Sequence, residues 1–327
     1  MARLKIFVAR AVFPDVLDRL RADFDVESNQ EDRVFTPDEL AAKIREKDGI
    51  FITGSEQIGA PLIAAAVPRL RVISNMAVGF NNVDLEAATA AGVMVTNTPD
   101  VLNQTTADLA WALLMAAARR ITESEHWLRA GKWNKWRYDC LLGADVHGST
   151  LGIIGMGRIG QAIARRSIGF DMRVLYHNRT RLTAEQESDA NHATYVDKEQ
   201  LLRTADHVML VLPYSAQSHH TIGAHELSLM KPTSTLVNIA RGGIVDDAAL
   251  IDALRKGQIA AAGLDVFENE PVLHPDFLGL SNVVLTPHIG SASEPTRRAM
   301  AECAAANLTA ALSGQRPPNL LNRFISV

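Results

Sequence analysis

Gly155-Met156-Gly157-Arg158-Ile159-Gly160 is the stretch on which the reading of this chain turns. An apolar run, Leu151 to Ile154, precedes it, and a helical pattern, Gln161 to Arg166, comes after it. A strand–turn–helix frame of this kind is what a dinucleotide-binding turn requires. Gly155 permits the tight turn, Gly157 lets a pyrophosphate approach the backbone, and Gly160 lets helix and strand pack closely. The helix N-terminus adds unpaired N–H groups and the positive end of its dipole. Because the turn lies near the middle of the chain, a sizeable segment precedes the nucleotide unit.

With 327 residues the chain is long enough for about two domains. At 47% hydrophobic and 21% charged residues it has the balance of an ordinary globular protein. A net charge of -4 offers no footprint for nucleic acid or an anionic membrane surface, so neither partner is expected. Cys140 and Cys303 form no disulfide framework and no metal-ligand spacing, and no metal is expected. Met1 to Arg10 alternates apolar and basic residues and reads as a first strand, not as a signal peptide. The longest apolar run, Leu109 to Ala118, falls short of the roughly 20 residues that span a bilayer. These features together point to a cytoplasmic location.

Working outward from the turn, strand-like runs alternate with amphipathic stretches on both sides. Upstream, the strands are Lys5–Val8, Gly49–Ile52, Arg71–Ser74 and Val93–Val95. The helices between them are Asp15–Ala22, Pro37–Lys47, Pro61–Ala66 and Leu85–Ala91, with Thr36 as an N-cap before an N1 proline. Thr105 to Arg120 reads as a helix apolar nearly all round, hence buried. Gly131 to Gly148 is irregular and carries Trp133, Trp136 and Tyr138. Downstream come strands at Arg173–Tyr176, His207–Leu212, Thr235–Ile239, Ala261–Val266 and Asn282–Thr286, then a helix from about Pro295 to Ser313 expected to pack back on the first domain. Alternation of this kind predicts parallel sheets flanked by helices, an α/β fold.

In open α/β sheets, ligands bind outside the carboxyl ends of the strands. Arg241, Glu270 and His288 each sit just past one of three successive strand ends. A guanidinium to hold a carboxylate, an imidazole to donate a proton and a carboxylate to tune it are what carbonyl reduction needs.

Ile239-Ala240-Arg241-Gly242-Gly243, the segment Asp265 to Pro271 and Pro287-His288-Ile289-Gly290 resemble the three signatures of the D-isomer-specific 2-hydroxyacid dehydrogenases. Gly155 to Gly160 stands where that family has its nucleotide turn, and Met76 to Asp84 resembles its substrate-domain loop. The likeness covers essentially the whole chain and is nearest to the glyoxylate/hydroxypyruvate and 2-ketogluconate reductases. It implies two Rossmann-like/flavodoxin-like domains with parallel sheets, the nucleotide domain inserted into a discontinuous substrate domain. Residues 1–99 would open the substrate-binding domain, 100–290 would form the NAD(P)-binding Rossmann domain, and 291–327 would complete the substrate domain with a helix and tail.

The resemblance also implies roles. Arg241 would bind the substrate's carboxylate and carbonyl oxygen, His288 would act as general acid/base, and Glu270 would orient His288 and favour its charged form. Backbone N–H groups of Val78 and Gly79 would hold the carboxylate. The nucleotide would meet Thr106, Gly155, Met156, Gly157, Arg158, Ile159, Gly160, Asn178, Arg179, Thr180, Leu212, Pro213, Ile239, Ala240, Arg241, Asp265, His288 and Gly290. A homodimer built around Thr105–Arg120 and the aromatic loop is implied as well. Relatives close their pocket with a partner-subunit aromatic, and by spacing that position falls near Cys140, leaving Trp136 or Tyr138 as substitutes.

NAD-specific proteins of this fold place an acid for the ribose 2′-OH roughly 20 residues after the glycines. Here His177 or Asn178 holds that position, with Arg179-Thr180-Arg181 directly after. Arg179, with Arg181 or Asn178, suits a 2′-phosphate, so NADPH is expected to be preferred, with NADH possible. The expected activity is reduction of glyoxylate, hydroxypyruvate or 2-ketogluconate to D-2-hydroxyacids. The rival readings are an NAD-linked D-3-phosphoglycerate-type dehydrogenase and a nucleotide-sensing corepressor-like binding protein.

Overall fold

Short β-branched and apolar runs, bounded by turn residues and separated by helices, can satisfy their backbones only by pairing in parallel with one another. In this computed structural model they form two sheets, one in each of two compact units. The units are Met1–Leu102 with Ser293–Val327, and Asn103–Ala292. Residues 3–322 are described; residues 1–2 at the head of the first expected strand and residues 323–327 of the tail lie outside them.

The first unit runs β1 (Lys5–Val8), α1 (Pro14–Asp23), β2 (Asp25–Ser28), α2 (Pro37–Ile44), β3 (Gly49–Ile52), α3 (Ala60–Ala66), β4 (Val72–Asn75), α4 (Leu85–Ala90) and β5 (Met94–Thr96). Its strands are all parallel in the order β2-β1-β3-β4-β5, a flavodoxin-like order. β3 and β4 are buried at every residue, as strands covered on both faces must be. α2 starts where Thr36 marks it: the Thr36 hydroxyl accepts from Glu39 N–H and the Glu39 carboxylate accepts from Thr36 N–H.

The second unit runs α5 (Asn103–Ala118), α6 (Ile121–Arg129), β6 (Thr150–Ile154), α7 (Arg158–Arg166), β7 (Arg173–His177), α8 (Ala184–Asp189), β8 (Thr194–Tyr195), α9 (Lys198–Thr204), β9 (His207–Leu210), α10 (Ala224–Leu229), β10 (Thr235–Asn238), α11 (Asp247–Arg255), β11 (Ala261–Leu264) and β12 (Val283–Leu285). The sheet order is β12-β11-β10-β9-β6-β7-β8, all parallel. Strand order reverses between β6 and β9, and that switch point is where ligands of such sheets bind. α12 (Glu294–Leu312) returns to the first unit and lays Ala301, Ala304, Ala305 and Leu308 into its core. Ser74 Oγ donates to Ala304 O at 2.7 Å, fixing the helix on β4.

Several elements differ from the sequence reading. β2 is not expected from the sequence, because Asp-Val-Glu-Ser has no apolar face; it forms as an edge strand paired with β1 alone. α6 is likewise absent from the sequence reading: its apolar residues Ile121 and Leu128 stay exposed and mark no core-facing element. β8 is a two-residue edge strand, too short to carry a pattern. The helix expected from Thr105 to Arg120 runs from Asn103 to Ala118, because Arg120 turns to φ +54° and caps α6. The strands expected to reach Leu212, Ile239, Val266 and Thr286 stop one to two residues earlier, where the apolar run continues as loop at the carboxyl rim. Among the described residues no helix is long and apolar enough to cross a membrane.

Candidate active site

The glycine turn stands between β6 and α7, beside the switch point. Gly155 has φ +102°, a left-handed conformation open to glycine, and a Cβ there would come within 2.6 Å of the Val211 carbonyl group. A Cβ at Gly160 would lie 2.4 Å from Gly155 O, so the helix can begin this close to the turn only without one. A Cβ at Gly157 would meet nothing within 4 Å. The turn is therefore packed behind Gly155 and Gly160 and open in front of Gly157, the cradle a pyrophosphate needs. These residues fit a nicotinamide nucleotide.

After β7, Asn178 turns its side chain inward, where Oδ1 accepts from Met156 N–H at 2.7 Å. Tyr195 donates its hydroxyl to Asn178 O. Arg181 makes a two-pronged pair with Glu187 at 2.8 and 2.9 Å, and Tyr176 donates to the same carboxylate at 2.6 Å. Arg181 is thus paired with α8, and Arg179 is a second exposed guanidinium of this loop. Thr106 lies in the first turns of α5, where its side chain would meet a Cβ on Gly290 at 3.5 Å. Leu212 and Pro213 come after β9, and Ile239 and Ala240 after β10, all along the same carboxyl rim.

Arg241, Glu270 and His288 come after β10, β11 and β12, three neighbours in the sheet. Asn238 shapes the first of these turns: its Oδ1 accepts from Ala240 N–H and its Nδ2 donates to Arg241 O. Arg241 Nη1 donates to Ala240 O at 2.7 Å. Burial pulls the Arg241 guanidinium below its ordinary value, against the pull of the Glu270 charge.

Glu270 Oε2 stands 2.7 Å from His288 Nδ1, and Glu270 Oε1 accepts from Phe267 N–H at 2.9 Å. Burial alone would raise this carboxyl group. The His288 hydrogen bond and charge, the Phe267 amide and Arg241 outweigh it, and Glu270 lies below the ordinary carboxylate range. With Nδ1 engaged, Nε2 is the ring nitrogen left to react.

His288 is held in an unusual backbone conformation, φ +51°. A non-glycine residue there costs on the order of 1–3 kcal/mol and persists only where surrounding bonds enforce it. Asp265 supplies those bonds. Its Oδ1 accepts from Thr286 Oγ1 at 2.6 Å and Ile289 N–H at 2.8 Å, its Oδ2 accepts from Gly290 N–H at 2.8 Å, and its carbonyl accepts from His288 N–H at 3.0 Å. Burial pushes the Asp265 carboxyl up, and its hydrogen bonds and His288 only partly offset this.

Val78 and Gly79 lie in the other unit, in the loop after β4. Thr98 N–H donates to Ala77 O and Asn97 Nδ2 donates to Val78 O, both at 2.9 Å. In a trans peptide the following N–H points opposite to the carbonyl. The Val78 and Gly79 amides are therefore turned away from Asn97 and Thr98, available as donors. Asn75 Nδ2 closes the loop on Gly79 O at 3.1 Å.

Asn238 and Asp265 as loop organisers are not legible in sequence. An asparagine at a strand end reads as an ordinary turn former. Asp265 reads as a nucleotide contact, and only the fold brings Thr286 to Gly290 onto its carboxylate.

Residues 111–290 match the model of the NAD binding domain of the D-isomer specific 2-hydroxyacid dehydrogenases. The chain is 48% identical over 326 residues to a glyoxylate reductase of Thermococcus gammatolerans, covering 98% of this chain and 96% of that protein. An NADPH-dependent glyoxylate/hydroxypyruvate reductase from Sinorhizobium meliloti, solved in complex with NADP and malonate, superposes with a TM-score of 0.88. It is 35% identical, with 99% of this chain and 98% of that one covered. A glyoxylate reductase from Paecilomyes thermophila gives a TM-score of 0.88 at 31% identity, covering 98% and 99%. With its two parallel-sheet units and its glycine cradle, the chain belongs to the D-isomer specific 2-hydroxyacid dehydrogenase family and is an NAD(P)-dependent oxidoreductase.

Proposed function

We propose that this chain reduces small 2-oxoacids, glyoxylate and hydroxypyruvate first and 2-ketogluconate as a larger candidate, to D-2-hydroxyacids, with NADPH preferred over NADH. The observation that carries the proposal is the 2.7 Å contact of Glu270 with His288 beside the strand end that bears Arg241. The nicotinamide, when bound, supplies the hydride. Arg241 holds the substrate carboxylate and polarises the carbonyl oxygen as charge develops on it. His288 delivers the proton from Nε2 to that oxygen, and takes it back in the oxidative direction. Glu270 fixes the ring through Nδ1 and faces it as a carboxylate. In the first unit the Val78 and Gly79 amides offer two backbone donors to a carboxylate.

The loop after β7 supports NADPH preference. No carboxylate stands at its start to repel a 2′-phosphate, and the Arg179 guanidinium is exposed. Asn178 contributes by bracing Met156 in the glycine turn, and Thr180 lies in the same loop. The relatives named glyoxylate reductase support the substrate class, and the Sinorhizobium reductase was solved with malonate, a small dicarboxylate. Loss of NADPH absorbance with glyoxylate and hydroxypyruvate tests the activity directly. His288→Ala is expected to lower kcat by on the order of 10³-fold while NADPH binding, read by fluorescence, stays intact. Faster turnover with NADH would overturn the cofactor reading, and retained activity in His288→Ala the acid/base reading.

A further inference from the structure

The loops leaving β9, β10 and β11 carry a second cluster of ionisable side chains that the reduction does not use. His219 and His220 come from the first loop, Asp246 from the second and Glu268 from the third. His220 Nε2 lies 2.8 Å from Glu268 Oε1, and His220 Nδ1 lies 3.9 Å from Asp246 Oδ2. The two imidazoles stack with ring centroids 3.8 Å apart. One ligand atom from each of His219, His220 and Glu268 falls within 4.8 Å of the others.

The carboxylate of this set is anchored. Glu268 N–H donates to Asp247 Oδ2 at 3.1 Å, and Glu268 Oε2 accepts from Asp247 N–H at 3.4 Å. His220 is anchored too, its N–H donating to Gly243 O at 2.7 Å. His219 is exposed, with Tyr214 Oη 3.2 Å from its Nδ1, so its ring can turn without disturbing the core.

We infer that His219, His220 and Glu268 form a surface site for a divalent transition-metal ion, with water completing the coordination. Two imidazoles and one carboxylate suit Zn²⁺, Ni²⁺, Cu²⁺ or Co²⁺, whereas Mg²⁺ and Ca²⁺ ask for an all-oxygen shell. Bonds of about 2.0–2.2 Å set the donor atoms roughly 3–3.5 Å apart, so the His220–Glu268 contact opens slightly and the exposed His219 ring turns in. Asp246 and Asp247 add negative charge around the ion, which favours its capture. The site clamps two loops, one of which carries Glu270 two residues beyond Glu268. It is independent of which oxoacid or nucleotide the enzyme uses.

The test is calorimetric titration of the chelator-treated, full-length protein with Zn²⁺, alongside electron paramagnetic resonance with Cu²⁺. One ion per chain is expected, with nitrogen hyperfine structure in the Cu²⁺ spectrum and a rise in the unfolding midpoint on Zn²⁺ addition. His219→Ala and Glu268→Gln should each weaken Zn²⁺ binding roughly tenfold or more. His288→Ala should bind Zn²⁺ as the wild type does, which separates this site from the His288–Glu270 pair. Absence of saturable binding at millimolar Zn²⁺ overturns the inference. So does unchanged affinity in folded His219→Ala, or loss of binding in His288→Ala.

Discussion

Glu270 does two things with two oxygens: Oε1 fixes its own loop through Phe267 N–H, and Oε2 faces His288. Its carboxyl lies below the ordinary range because the hydrogen bond and charge of His288 outweigh its burial, so it faces the ring as a carboxylate throughout the neutral region. In Glu270→Gln that charge is gone and the ring loses its anchor. The maximal rate of reduction should drop by on the order of 10²-fold while NADPH binding stays intact. A Glu270→Gln enzyme with wild-type kcat would remove Glu270 from this role. Arg181 gives the opposite lesson at the same scale. Its sequence position makes it a candidate for a 2′-phosphate, but Glu187 and Tyr176 hold that corner together.

At the scale of elements, the active loop after β12 is shaped by the end of β11. Three side-chain bonds and one backbone bond from Asp265 hold Thr286 to Gly290 and impose the left-handed His288. Asp265→Ala leaves those donors without their buried acceptor, a loss of about 1–3 kcal/mol of stability. It also releases the His288 ring, and a displacement near 1 Å costs roughly 10² in rate. We expect kcat to fall by about that factor, while KM for the oxoacid changes less. Asp265→Asn keeps one oxygen acceptor and should recover part of the rate. An Asp265→Ala enzyme with wild-type kcat would show that the loop holds itself. The elements that sequence does not reveal share a cause. β2, β8 and α6 bury little or nothing, so tertiary pairing or exposed local helix formation specifies them, not an apolar pattern.

At the scale of the whole molecule, the second unit exposes large apolar side chains along one stretch of chain. Trp136 and Tyr138 are 79% and 81% exposed, and Ile121, Leu128, Trp133 and Leu142 are exposed in the same stretch of chain. Large aromatics concentrated this way are typical of subunit contacts. A second copy of this chain is the occupant we propose, in a homodimer. Sedimentation equilibrium should give twice the 35.6 kDa chain mass. Leu128→Ser with Trp136→Ser should shift that equilibrium to monomer. A wild-type monomer at micromolar concentration would rule the dimer out.

What the sequence determined by itself is local or periodic. The strand–turn–helix around Gly155 needs only contiguous residues, and strand ends can be read from apolar runs that lead into Arg241, Glu270 and His288. The family signatures lie in those same short segments. What the tertiary structure alone decided are pairings between distant positions. Asn178 closes on Met156 across 22 residues, Gly290 on Asp265 across 25, and His220 on Glu268 across 48. In a parallel sheet each strand returns only after a crossover of a dozen residues or more, so neighbours at the carboxyl rim are far apart in sequence. No local pattern encodes which side chains meet there; the order of the strands does.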